Sequence, residues 1–64
     1  MKWLKHIRID ADMKQIEVAS KVGISQQAYW LIEHGYRRPS VATAKKIANV
    51  LGFNWTLFFP DEVE

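Results

Sequence analysis

Gln15-Ile16-Glu17-Val18-Ala19-Ser20-Lys21-Val22-Gly23-Ile24-Ser25-Gln26-Gln27-Ala28-Tyr29-Trp30-Leu31-Ile32 is the stretch whose pattern decides the fold. Val18, Ala19 and Val22 make a short apolar stripe at helical spacing, and Gly23 follows at once. Glycine takes up the left-handed conformation that ends a helix at little cost. Ser25 is then a good N-cap for a second helix whose inward face is Ala28, Tyr29 and Ile32. The small residue at 19 lets the two helices approach closely, while Val18, Val22, Ile24, Tyr29 and Ile32 pack beneath. Two helices crossing steeply over a shared core need these features, and the second helix is left with an outward face.

The flanks continue the helical pattern. Before this stretch, Leu4, Ile7 and Ala11 recur at helical spacing with Trp3 beside Ile7, and Asp10 and Asp12 oppose the helix dipole where that run should stop. After it, Gly35 ends the second helix and residues 35–40 form a loop, with Pro39 biasing Arg38 away from helix. Ser40 caps a helix over 41–51 with Val41, Ala44, Ile47, Ala48 and Leu51 facing inward, and Gly52 stops it. Asn54 caps a last short helix over 55–59, where Trp55, Phe58 and Phe59 share a face that closes the core, and Pro60 ends it. No strand-period segment, repeat or low-complexity tract interrupts the series. The expectation is an all-α, compact five-helix domain occupying residues 1–64.

Composition narrows the function classes. A chain of 64 residues without cysteine has neither disulfide nor thiolate zinc to staple it, so its 48% apolar content must hold it by packing. No stretch approaches the roughly 20 apolar residues of a membrane-spanning helix, and the opening MKWLKHIRID is too charged for a signal peptide. A cytoplasmic protein with no membrane association is expected. Neither a nucleophile–base pair, a metal cluster nor a glycine-rich phosphate loop is present, so enzymatic activity, a metal and a cofactor are not expected. His6 reads as a solvated side chain, and His34 as a helix-terminal residue interacting with the dipole. Charge is uneven: residues 1–38 carry seven Lys/Arg against four acids, and residues 39–64 carry two lysines against three acids. That distribution suggests one face that favours phosphate.

Taken in order, Arg8, Gln15-x-x-Val18-Ala19-x-x-Val22-Gly23-Ile24-Ser25, Ile32-Glu33-x-Gly35, Arg38-Pro39-Ser40 and Leu51-Gly52 resemble the phage-repressor and Cro family of helix-turn-helix regulators, also called the xenobiotic-response-element family. The resemblance covers about residues 3 to 59 and implies a lambda-repressor-like fold, with the helix-turn-helix at about 14–34 and residues 25–34 as the recognition helix. Matched position by position, it implies that Gln15 bonds a backbone phosphate and that Ser25 sits at the phosphate-facing start of the recognition helix. Lys14 stands where the family usually has a Ser or Thr cap, which loses a capping bond but sets a cation beside that phosphate. Arg37, Arg38 and Ser40 resemble a second phosphate clamp, while Lys45 and Lys46 read as a solvated face. Gln26 and Gln27 fall where the family reads bases, and a glutamine amide matches the N6/N7 edge of adenine. Trp30, one turn on, either meets a thymine methyl or sugar edge or lies flat on a neighbouring helix as core. Leu31 sits where the family is often polar, which leaves room for a protein contact. Arg8 and Glu33 are expected to form a partly buried ion pair of architectural role. Leu57, off the aromatic face of the last helix, is the candidate dimer contact.

These readings converge on a sequence-specific regulator of transcription that binds double-stranded DNA. The expected form is a small phage or prophage repressor, nucleoid-associated, on a near-palindromic operator as a homodimer, with an antirepressor as a further partner. Activation by contact with polymerase fits the same residues. Two other readings stay open: an interaction adaptor using the Trp30/Leu31 surface, and the N-terminal DNA-binding domain of a longer regulator. Met1 and the acidic DEVE ending fit a complete small protein better than the last of these.

Overall fold

A computed structural model describes residues 1–61; Glu62 and Glu64, counted in the charge balance above, lie outside the described residues. Four α-helices follow one another: α1 (Lys2–Asp10), α2 (Gln15–Val22), α3 (Gln26–Glu33) and α4 (Val41–Leu51). A 3-10 turn, Trp55–Phe58, follows them. There is no strand among the described residues. The all-helical expectation holds, but the fifth helix does not: its place is taken by one tight turn. Asn54 caps that turn by accepting the Thr56 N–H at 3.0 Å, and Phe59 leaves helical geometry at φ −133°. Four residues confined in this way close i→i+3 bonds, Leu57 to Asn54 and Phe59 to Thr56, and propagate no further.

Local rules account for the helix ends. Gly23 and Gly52 stop α2 and α4 at φ +88° and +79°, their N–H groups returning to Ala19 and Ala48. Ser25 and Ser40 cap α3 and α4, accepting from the Ala28 and Thr43 N–H groups at 3.0 and 3.1 Å. At Lys14 the side chain makes no capping bond, and Glu17 supplies the other half of the arrangement by accepting the Lys14 N–H at 3.1 Å. α1 ends at Asp10, and Asp12 takes a left-handed φ of +57°, which aspartate tolerates better than most residues.

The core draws on every element: Leu4 from α1, Val18, Ala19 and Val22 from α2, Tyr29 and Ile32 from α3, Ala44 and Ile47 from α4, and Phe58 and Phe59 from the C-terminal turn and its cap. Trp3 locks α1 onto the C-terminal segment, edge-on to Phe53 and Phe58 with ring centroids 5.4 and 5.1 Å apart. Three inward assignments need correction. Ala11 lies beyond the end of α1 and is exposed, and Val41, first residue of α4, is 48% exposed. Trp55 is only half-buried, and Phe58 and Phe59 are both buried because the chain turns out of the helix between them, not because they share a helical face.

Candidate nucleic-acid interface

α3 is the element that faces two ways. Its inner side buries Tyr29, Ile32 and Glu33, while Gln26, Gln27 and Trp30 are exposed. At about 100° per residue, Gln26, Gln27, Trp30 and His34 fall within one arc roughly 100° wide. The Ser25 cap fixes the start of the helix, so both glutamines project from its first turn.

The other end of α3 is tied down by charge. Glu33 is 3% exposed, yet both carboxylate oxygens have partners. Arg8 Nε donates to Oε1 at 2.8 Å, and the Gln15 amide donates to Oε2. Arg8 spends a second donor on the Met13 carbonyl at 2.9 Å, and the Met1 amine donates to the Glu33 carbonyl at 2.7 Å. The buried carboxylate thus joins α1 and α2 to α3, and Arg8 ties the α1–α2 connection to the same pair. Tyr29 lies against the same pair. Its hydroxyl is buried without a hydrogen-bond partner, and burial, followed by the Glu33 charge, pushes it above the usual phenolic range.

Placement of the remaining sequence-derived residues is mixed. Gln15 is half-buried with its amide turned to Glu33, and Lys14 beside it is exposed. Arg37 and Arg38 are both exposed, and the Arg38 guanidinium lies 4.7 Å over the Phe59 ring. The Ser40 hydroxyl is engaged with Thr43, donating to its Oγ1 at 3.1 Å. A depression of about 370 Å³ separates α3 from α4; Ile24, Ala28 and Ile32 line it together with Arg37, Arg38, Ser40 and Thr43. Leu57, in the C-terminal 3-10 turn, is 49% exposed. Lys45 lies over Trp55, 5.1 Å from the ring centroid.

Trp30 is not core. It is 39% exposed and stacks on His34, centroids 3.9 Å apart with planes 22° from parallel, and on Tyr36 at 5.9 Å and 20°. His34 caps the end of α3, its Nδ1 3.0 Å from the Trp30 carbonyl. Tyr36 was missed from sequence; its only signal there was an aromatic two residues beyond a helix terminus. Likewise, nothing in the spacing pointed to Gln15 joining the ion pair.

A helix-turn-helix family profile matches residues 4–58 of this chain, spanning α2, the Gly23–Ser25 turn and α3. The chain belongs to the helix-turn-helix family. It is a DNA-binding transcriptional regulator of the Cro and phage-repressor type. Over 60 residues it is 48% identical to the uncharacterized HTH-type transcriptional regulator YqaF of Bacillus subtilis (strain 168), covering 94% of this chain and 79% of that one. Over 49 residues it is 31% identical to the cryptic phage CTXphi transcriptional repressor RstR of Vibrio cholerae, covering 77% of this chain and 44% of that one. No solved structure matches it significantly. The family is one of transcription regulators and not a class of enzymes. Among the described residues no helix is long and apolar enough to cross a membrane, and no cluster of His, Asp and Glu could hold a metal ion.

Proposed function

We propose that this regulator is a repressor of phage or other mobile-element origin that occupies a near-palindromic operator as a homodimer in the bacterial cytoplasm. The observation that carries this reading is the exposed Gln26–Gln27 pair on the first turn of a helix anchored at both ends. Each glutamine offers a donor and an acceptor to a base edge. Gln15, Lys14, Ser25, Arg37, Arg38 and Ser40 then set register on the phosphates, and contacts of that kind carry no sequence information directly. Trp30 adds an apolar surface one turn from the glutamines. The likeness to a named phage repressor supports the mobile-element origin.

Size supports a dimer. The chain extends 31 × 21 × 18 Å and presents one recognition helix, whereas two half-sites lie about 34–36 Å apart. Two copies are needed to read both, and exposed Leu57 is the residue assigned to join them.

Fluorescence anisotropy on a duplex from upstream of the gene, beside a shuffled duplex, at two salt concentrations, tests the reading. A preference of about 10³-fold or more that weakens with salt supports it. Gln27→Ala should then relax specificity, while Arg37→Ala should weaken both duplexes alike. Absence of binding to either duplex at low salt would reject the DNA reading in favour of a protein partner for residues 26–34.

A further inference from the structure

The three near-parallel rings of Trp30, His34 and Tyr36 are not explained by base reading. Tyr36 is 75% exposed, so its ring is held by stacking on the protein's surface and not by burial. Beside His34 runs a shallow cleft of about 320 Å³ lined also by Met1, Lys2, Lys5 and Glu33. Glu33 adds no free negative charge to it, because its side chain is 2% exposed and paired with Arg8. The cleft is therefore positive: beside the half-buried Met1 amine it shows exposed Lys2 and Lys5, neither of which is ion-paired among the described residues. Arg37, exposed one residue beyond Tyr36, extends the same sign.

We infer that this aromatic and cationic edge, made by the end of α3 with the start of α1, grips the sugar–phosphate backbone that walls the major groove. This rests on the proposed DNA reading and extends it. A helix with its side chains is about 10–12 Å across and so fills the roughly 12 Å width of the major groove. With Gln26 and Gln27 on base edges at the start of α3, His34 at its C-cap and Tyr36 beyond it come against the groove's wall. That wall alternates apolar sugar edges with anionic phosphates, which stacked rings flanked by lysines complement in both respects. Helix α1 thereby becomes part of the binding surface through Lys2 and Lys5, besides its structural tie through Arg8.

The test measures log affinity against log salt for the full chain on a labelled duplex of roughly 30 base pairs from upstream of the gene and on its shuffled counterpart. The slope can be read on either duplex, so it does not depend on where the operator lies. Lys2→Gln with Lys5→Gln should lower the slope's magnitude by roughly 1.8 per bound protomer on both duplexes. Lys45→Gln with Lys46→Gln, the same charge change on α4, should leave it unaltered. Tyr36→Ala should weaken both duplexes roughly 3–10-fold with their ratio preserved. All five substituted positions are exposed, and circular dichroism checks that the three variants stay folded. A wild type that binds with a steep slope, left unchanged by the Lys2/Lys5 pair and by Tyr36→Ala, overturns the inference while the glutamine reading stands. A wild type that binds neither duplex overturns both.

Discussion

Removing the Arg8 guanidinium while keeping its volume, as in Arg8→Met, is the sharpest perturbation of this molecule. The variant strips Glu33 of its cationic partner at 2.8 Å and leaves the carboxylate with the Gln15 amide alone. It also removes the donor that satisfies the Met13 carbonyl. Breaking one side of a buried ion pair costs about 3–5 kcal/mol, and the 12% exposure of Arg8 admits enough water to favour the lower end, ~3 kcal/mol. A domain of 64 residues is stable by only roughly 3–10 kcal/mol, so the loss is a third of the total or more. In melting temperature it corresponds to a fall on the order of 12–25 °C. Replacing both partners, Arg8→Met with Glu33→Leu, removes the stranded charge and should recover at least ~2 kcal/mol of the single variant's loss. Urea unfolding followed by circular dichroism gives both values, and the double-mutant cycle gives the coupling. An Arg8→Met variant within about 1 kcal/mol of wild type, or a double variant no better than the sum of the singles, would refute this account.

Two smaller perturbations separate conformation from packing. At Gly23 an added Cβ meets no atom within 4 Å, so Gly23→Ala is opposed by its φ of +88° alone and should cost about 1–2 kcal/mol in urea unfolding; a neutral result would mean that the turn relaxes. Tyr29→Phe removes a buried hydroxyl that lacks a hydrogen-bond partner, so stability should stay within ~1 kcal/mol of wild type or rise. A loss above ~2 kcal/mol would reveal a real bond from that hydroxyl to the Arg8–Glu33 pair.

Much of this architecture was legible because short-range rules dominate it. Gly23, Ser25, Ser40 and Gly52 each act on their own helix end, so local sequence was enough to place the boundaries of α2, α3 and α4. Periodicity failed at the edges of the pattern. Ala11 and Val41 keep the helical spacing but stand at positions where the helix has ended or barely begun, with no neighbour to cover them. The C-terminal segment failed for a different reason: a helix and a 3-10 turn share their cap and apolar signals over four residues, and only the chain's exit at Phe59 distinguishes them. The candidate site divides along the same line. Exposure of Gln26 and Gln27 follows from helix phase, whereas the Gln15–Glu33 bond and the Trp30–His34–Tyr36 stack are made between elements or across a helix end.

The ion pair and the glutamines, though at opposite ends of α3, are parts of one device. An isolated helix shorter than about 12–15 residues is marginal in water, and α3 has eight. Its direction is therefore set from outside, by the Ser25 cap, by Tyr29 and Ile32 in the core, and by Glu33 on Arg8, Gln15 and the Met1 amine. Loosening the Glu33 end should leave phosphate contacts and base contacts intact in those molecules that remain folded. Arg8→Met should accordingly weaken specific and shuffled duplexes by one common factor, the reciprocal of its folded fraction, without changing the salt slope. That factor should approach one on cooling toward the temperature of maximum stability. A slope of smaller magnitude while the protein is still fully folded would instead make Arg8 a contact to phosphate and not only a strut behind α3.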